Sequence, residues 1–250
     1  IRDADVTGVQ TCALPIYLTS AEFLDNMQQL TYLGLYNVPN FHDYQPLKKL
    51  SGLESLSVSN VNNDDAKNIA AITSIKELNI YDSKDLTNIE FLSNMKQLTY
   101  LKLNNVPNVH DYQPLKHLMN VKELYLIYSG LTEKDLNSLP EMDSVESLIL
   151  NDNRIVSLGN FPKMKNLKYL ILSYNPLIEV NILTDKIPNL KHLDLRSTKI
   201  ADLNKLSGVN NIESITLLYT NVKRISPLKE YKNLKFVNII PDDVEDLDTF

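Results

Sequence analysis

The chain contains one cysteine, no tryptophan and six glycines in 250 residues. A single cysteine, Cys12, cannot form a disulfide within the chain, so a disulfide framework is excluded. No apolar run approaches the eighteen residues that a membrane-spanning helix needs, so we predict no membrane insertion in this segment. The formal net charge is −6, which argues against the basic stripe of a nucleic-acid-binding protein, and we expect no nucleic-acid partner.

The motifs of catalytic and cofactor sites are missing as well. The histidines His42, His110, His117 and His192 have no paired cysteine and no metal-ligand spacing. The sequence has no G-x-S-x-G nucleophile elbow, no Walker-type phosphate loop and no G-x-G-x-x-G turn. We therefore predict no catalytic residue, no cofactor and no metal site, and a chain that is not an enzyme.

What the sequence does contain is a repeat. An apolar-x-x-apolar-x-apolar core recurs ten times at intervals of 22 to 24 residues. The ten units start at Leu30, Leu53, Ile75, Leu98, Val121, Val145, Leu167, Leu190, Ile212 and Leu234. A fixed period of this length is typical of a solenoid, in which each unit buries its apolar side chains against its neighbours.

The spacing within a unit predicts one short strand. The last two apolar residues of each core, such as Leu33 and Leu35, are two apart and therefore point to the same side of a strand. Each strand is joined to the next by a returning segment, here called an arc, of more than a dozen residues, so the strands must run parallel. The segments 63–74 and 131–142 have helix-like spacing, and Thr132 with Asp135 resembles a capping box.

These units resemble leucine-rich repeats, matching the L-x-x-L-x-L-x-x-N core across residues 30–242. The stretch ISPLKEYKNLKFVNI, residues 225–239, is similar to the repeats of bacterial internalin-like surface proteins. The resemblance implies an α/β leucine-rich repeat solenoid: a curved, concave parallel sheet with a convex side of mixed α-helical and 3₁₀ turns. The closing Asn of the core is present only as Asn153 and Asn175, and valine replaces it in several repeats, so those turns need other hydrogen-bond partners.

A three-repeat block has been duplicated. Residues 23–50 and 91–118 agree at 22 of 28 positions. Both copies contain the loop HDYQPLK, with His42 and His110 at equivalent places. Common ancestry and turn chemistry around Pro46 and Pro114 explain the loop more simply than a functional role for the two histidines.

The solvent side of the predicted sheet is rich in tyrosine. Nine of the thirteen tyrosines fall on the outward strand positions, together with exposed aliphatic residues. An apolar, aromatic stripe of this kind is typical of an interaction site. We predict a protein-binding concave face formed by Tyr32, Tyr36, Tyr81, Tyr100, Tyr125, Ile127, Tyr128, Ile149, Tyr169, Ile171, Tyr174, Arg196, Leu218, Tyr219 and Phe236. Its predicted polar surround is Glu77, Asn79, Lys102, Glu123, Asn151, Asp152, Asp194 and Arg196.

The enrichment has a second explanation, because tyrosine favours half-exposed strands without any function. The leading hypothesis is a non-enzymatic protein-binding module of a bacterial surface or secreted protein, whose partner is a protein such as a host surface protein. The alternatives are an intracellular scaffold and the targeting domain of a larger effector enzyme. An extracellular or cell-surface location is implied by the resemblance only.

The first sixteen residues, IRDADVTGVQTCALPI, do not share the repeat. VTGVQTCALPI can be back-translated into the DNA of a common short-read sequencing adapter, which it resembles. We interpret residues 1–16 as adapter-encoded and not native, and residues 17–250 as a single leucine-rich repeat domain truncated at both ends. The competing interpretation is a genuine N-terminal cap that includes Cys12.

Overall fold

Each repeat begins with a short strand, and the strands form one parallel sheet. The computed structural model describes residues 8–11, 18–159, 161–180, 185–206 and 209–249. Within them the strands are β1 Gly8–Thr11, β2 Tyr32–Leu35, β3 Ser55–Ser59, β4 Glu77–Tyr81, β5 Tyr100–Asn104, β6 Glu123–Ile127, β7 Ser147–Ile149, β8 Tyr169–Ile171, β9 His192–Asp194, β10 Ser214–Thr216 and β11 Phe236–Asn238. Every strand pairs in parallel with the next one along the chain.

A strand lies in each of the ten predicted repeat units. Strands β2 to β11 each begin two residues after the predicted start of a unit, and equivalent residues lie side by side, as Leu56 does with Leu78. Strand β1 belongs to the stretch interpreted as adapter-encoded and pairs with β2 through the register Gly8 to Tyr32. The other residues of that stretch lie outside the described residues, and the interpretation stays a prediction.

The arcs mix α-helical and 3₁₀ segments, as predicted. The part of the chain that the structure describes has two α-helices, α1 Asn63–Ala70 and α2 Glu133–Leu136. The 3₁₀ segments are Glu22–Leu24, Gln45–Lys49, Glu90–Asn94, Gln113–His117, Asn204–Leu206, Ser226–Glu230, Pro241–Asp243 and Leu247–Thr249. The predicted capping box of Thr132 and Asp135 is present, and α1 begins with an equivalent box of Asn62 and Asp65. Each box satisfies backbone N–H groups that a helix start leaves free.

One continuous core lies between the sheet and the arcs. Leu33 and Leu35 point inward from β2 and are fully buried, and Phe41 and Tyr44 meet them from the arc that follows. The rings of Phe41 and Tyr44 pack edge to face with centroids 5.0 Å apart. Burying a leucine side chain stabilises a fold by roughly 1.5–3 kcal/mol. Stacked repeats share this burial with their neighbours, which explains why no single repeat needs to be stable alone.

Two of the turns in which valine replaces the closing asparagine have other hydrogen-bond partners. In the first half of the solenoid the serine of the following repeat supplies them: the N–H of Val61 donates to Ser83 Oγ at 2.9 Å, and that of Val106 donates to Ser129 Oγ at 3.1 Å. In the second half, Asn153 Oδ1 accepts from the N–H groups of Ser129 and Leu131. The buried turns are therefore satisfied by serine in the early repeats and by Asn153 and Asn175 in the middle ones.

The seventh residue after the start of the unit has a left-handed backbone in the first nine of the ten units. Its φ lies between 47° and 59° in Asn37, Asn60, Asp82, Asn105, Tyr128, Asp152, Tyr174, Ser197 and Tyr219. Asn and Asp tolerate this conformation because their short polar side chains bond locally, whereas a bulky side chain is strained there. The tyrosines at this position are therefore unusual within their own row.

Among the described residues, no helix is long and apolar enough to cross a membrane. Nor do the described histidines and carboxylates come together in a group that would hold a metal ion.

Candidate binding surface

The solvent side of the sheet is here called the outer face. It is formed by the second, fourth, sixth and seventh residues after the start of each unit. In β4 the alternation is plain, because Leu78 and Ile80 are buried while Glu77, Asn79 and Tyr81 between them are accessible. All fifteen residues predicted for the binding face lie on the outer face and are at least partly exposed.

The tyrosines at the start of the outer face pack on one another. The hydroxyls of Tyr32 and Tyr36 are hydrogen-bonded at 2.8 Å, and the ring of Tyr36 meets that of Tyr81 with centroids 5.8 Å apart. Between these tyrosines lies β3, whose outward serines Ser57 and Ser59 are only 2% and 5% exposed. The three rings therefore act as a cover over a strand of small residues.

Gly34 makes the cover possible. A Cβ atom at this position would lie 2.7 Å from both Tyr32 Oη and Tyr36 Cε2. Contacts this short are repulsive, so the two rings fold together above β2 only because residue 34 has no side chain. The repeat pattern does not predict this role, since the contact depends on the orientation of two side chains.

A second cluster continues the surface on β5 and β6. The rings of Tyr100 and Tyr125 lie 5.1 Å apart, and the Tyr125 hydroxyl donates to Glu123 Oε2 at 3.0 Å. Lys102 Nζ lies 5.2 Å from the ring centre of Tyr81 and 5.9 Å from that of Tyr125. A cation over aromatic faces is attracted by their negative charge density, so Lys102 links the two tyrosine clusters.

Burial changes the acidity of these phenols. It raises the pKa of Tyr32 to about 12, with the hydrogen bond between Tyr32 and Tyr36 acting in the same direction. Burial also raises the pKa of Tyr100, and the neighbouring Tyr125 adds to the effect. Desolvation disfavours the charged phenolate, so these tyrosines stay neutral hydrogen-bonding groups at physiological pH.

The second half of the outer face is more open. Tyr125, Ile149 and Ile171 lie side by side on β6, β7 and β8 and form an apolar stripe. Next to the stripe, Tyr169 is 44% exposed and stacks on His192 with centroids 4.4 Å apart and planes within 3°. Phe236 on β11 is 67% exposed. These side chains offer apolar area to solvent, which is typical of an interaction site.

A row of ion pairs runs beside the outer face, at the first position after the start of each unit. Glu146 pairs with Lys122 at 3.3 Å and with Lys168 at 2.6 Å. Glu213 pairs with Lys191 and Lys235, both at 2.7 Å, and these two lysines hold its pKa at about 2. This row is not among the residues predicted from the sequence, although lysine and glutamate recur at one phase of the repeat.

The two histidines of the duplicated loop support helix starts. His42 Nδ1 lies 2.9 Å from Asp65 Oδ2, and His110 Nδ1 lies 3.0 Å from Asp135 Oδ1. Both aspartates are the buried acids of the capping boxes described above. Burial raises the pKa of Asp135, but hydrogen bonds from Thr132 and His110 outweigh it, so the pKa is lowered overall. This contact agrees with the structural explanation of the shared loop.

Comparisons with known proteins agree with this architecture. No family model matches the chain. The volume-regulated anion channel subunit LRRC8B, of mouse and of human, is 28% identical to it over 162 residues, which are 63% of this chain and 18% of the subunit. The chain therefore spans about a fifth of the length of these curated relatives.

Solved structures show the same fold. An internalin C2 of Listeria monocytogenes aligns with a TM-score of 0.61 and 25% identity, over 78% of this chain and 84% of that one. A chain of the mouse RP105/MD-1 complex aligns with a TM-score of 0.70 and 19% identity, over 93% of this chain and 41% of that one. The chain is a leucine-rich repeat solenoid with an internalin-like fold, and this architecture supports a protein-binding module.

Proposed function

We propose that this chain is a non-enzymatic protein-binding module of a bacterial surface or secreted protein, and that it binds a partner protein through the outer face. The observation that carries the proposal is the apolar stripe of Tyr125, Ile149 and Ile171, continued by the exposed ring of Tyr169. Exposing these apolar side chains to water contributes little to the stability of the folded chain.

The chemistry of the stripe suits a protein partner. Tyrosine supplies a large contact area and a hydroxyl while freezing only two side-chain torsions. Charged side chains lie around it, among them Glu123, Lys102 and the paired Asp194 and Arg196. An apolar centre with a polar rim is the usual anatomy of a protein–protein interface. The likeness to an internalin C2 supports the bacterial origin, and the surface location is part of the same proposal.

The test replaces the centre of the stripe. Candidate partners are captured by a photo-crosslinking amino acid at position 171, and each captured protein is then measured directly by biolayer interferometry. The variant Tyr125→Ser, Ile149→Ser, Tyr169→Ser is expected to weaken binding at least about 100-fold, because buried aromatic anchors supply most of an interface's binding energy.

A matched control removes exposed apolar side chains outside the outer face. Phe23, Met119 and Ile178 are 44%, 72% and 50% exposed, and their triple serine variant is expected to bind the partner like the unaltered protein. Circular dichroism confirms that both variants are folded. Undiminished binding by the Tyr125, Ile149 and Tyr169 variant would show that the outer face is not the binding site.

A further inference from the structure

Three tyrosines form a row of their own along one edge of the outer face. Tyr128, Tyr174 and Tyr219 occupy the left-handed seventh position in alternate repeats, with φ of 52°, 57° and 58°. They are 63%, 51% and 68% exposed. The row is held in place by the next repeat: the N–H of Tyr128 donates to Asn151 O, and that of Tyr174 donates to Arg196 O.

Folding does not explain tyrosine at this position. In the other repeats the same turn is made by Asn, Asp or Ser. A bulky side chain raises the energy of the left-handed conformation, and a ring that is more than half exposed recovers little by packing. Strained residues that persist without structural benefit are typical of binding sites. The row therefore indicates an external ligand.

The spacing of the row selects the shape of that ligand. Adjacent strands are about 4.8 Å apart, so tyrosines in alternate repeats are about 9.6 Å apart. A polyproline II helix repeats every three residues at about 3.1 Å each, or about 9.3 Å per turn. An extended strand repeats every two residues, at about 6.7 Å, and one turn of an α-helix rises about 5.4 Å. The polyproline II helix matches best.

The side chains between the tyrosines select its charge. Asp152 and Ser197 stand in the gaps, and two residues further along each turn lie Arg154 and Lys199. Both cations are exposed, and neither pairs with a carboxylate in the described part of the chain, whereas the lysines of the ion-pair row are all engaged. Asp152 accepts a hydrogen bond from Asn151 Nδ2. These two unpaired cations, each two residues beyond the row of tyrosines, fit an acidic ligand.

We propose that Tyr128, Tyr174 and Tyr219 bind an acidic, proline-rich segment of the partner in the polyproline II conformation. One helical turn of the segment spans each pair of tyrosines, with its prolines packed on the rings. Arg154 and Lys199 pair with carboxylates that recur every third residue. The proposal deepens the proposed function, on which it rests, by assigning the partner a segment of defined chemistry.

The test uses the peptide (Pro-Pro-Glu)₅ with a fluorescent label, measured by fluorescence anisotropy on the full chain. Binding is expected for this peptide and at least about tenfold weaker for (Gly-Gly-Glu)₅, which has the same charge and no polyproline II preference. The variant Tyr128→Asn, Tyr174→Asn, Tyr219→Asn is expected to lose at least about tenfold in affinity while its Tm does not fall, because Asn serves this turn in other repeats.

A charge variant and a face variant complete the test. Arg154→Gln with Lys199→Gln is expected to remove the preference for (Pro-Pro-Glu)₅ over (Pro-Pro-Lys)₅. The variant Tyr125→Ser, Ile149→Ser, Tyr169→Ser is expected to keep its peptide affinity, which separates this proposal from the binding role of the stripe. Equal affinity for the glycine peptide, or undiminished binding by the asparagine variant, would overturn the proposed binding role of Tyr128, Tyr174 and Tyr219. Neither result would contradict the proposed function of the outer face.

Discussion

Tyrosine has different roles in the two halves of the solenoid. In the first half Tyr32, Tyr36 and Tyr81 cover Ser57 and Ser59 and touch one another, so their rings complete the protein's own surface. In the second half the exposed tyrosines offer their rings to solvent, three of them from a strained backbone. The enrichment of tyrosine on one face therefore contains a structural group and a group that folding does not account for.

The same division runs through the turns. Serine side chains bridge the early repeats, whereas Asn153 and Asn175 each bond several backbone groups in the later ones. Side-chain amides satisfy more buried groups at once than a hydroxyl can. The turns at Asn153 and Asn175 are thus held more firmly, which suits a neighbouring binding surface that must be preorganised.

The largest expected effect comes from the turns. Asn153→Ala leaves the buried N–H groups of Ser129 and Leu131 without their partner and removes the amide hydrogen bond to the buried carbonyl of Leu126, while the carbonyl of Leu150 keeps its bond from Asn175. Each such group costs about 1–3 kcal/mol, so the free energy of unfolding is expected to fall by about 4 kcal/mol in urea denaturation.

The matched change in the first half is Ser83→Ala. Ser83 Oγ accepts from Val61 N and donates to Tyr81 O, so two groups lose a partner. The expected loss is about 2 kcal/mol, half of that for Asn153, by the same reasoning. Equal losses in the two variants would remove the distinction between the turns of the two halves.

The next effect in size has the opposite sign. Replacing Tyr128, Tyr174 and Tyr219 by Asn relieves left-handed strain at three exposed positions, so the free energy of unfolding is expected to rise by about 1 kcal/mol per site. In the first half, Asn105→Tyr is expected to lower it by a similar amount. Both changes are measured by urea denaturation, and a loss of stability in the Asn variant would show that the tyrosines are structural.

The sequence predicts the repeat and the outward positions because both follow from the spacing of apolar residues, as in Leu33 and Leu35. The left-handed backbone at the seventh position could also have been predicted. Asn37, Asn60, Asp82 and Asn105 share this position in their repeats, and asparagine and aspartate favour the left-handed conformation. The tyrosine cover over Ser57 and Ser59 could not be predicted from the sequence, because it depends on side chains that reach from β2 and β4 across β3. The stacking of Tyr169 on His192 is of the same kind, a matter of rotamers rather than of pattern.

A smaller effect is expected from Gly34→Ala. The added Cβ collides with the outer ends of the Tyr32 and Tyr36 side chains, which move apart and lose their hydroxyl hydrogen bond. Because side-chain ends yield more easily than backbone, the expected loss is about 1 kcal/mol, at the lower end for overpacking. Ser55→Ala, on the neighbouring strand, is the control and is expected to change stability by less than about 0.5 kcal/mol.

The smallest expected effect is a change in the ionisation of Tyr32, which tests whether the tyrosines of the first half are more buried than those of the second. The pKa of Tyr32 is raised to about 12 because its phenol is buried beside Tyr36, whereas an unfolded tyrosine ionises near pH 10. A raised folded-state pKa means that the stabilising contribution of Tyr32 is complete below pH 10 and is lost as the pH rises toward 12. In an absorbance titration at 295 nm, with circular dichroism confirming the folded state, Tyr32→Phe is expected to remove phenolate signal near pH 12. Loss of signal near pH 10 instead would mean that Tyr32 is solvated, and that the cover of the first half is as open as the surface of the second.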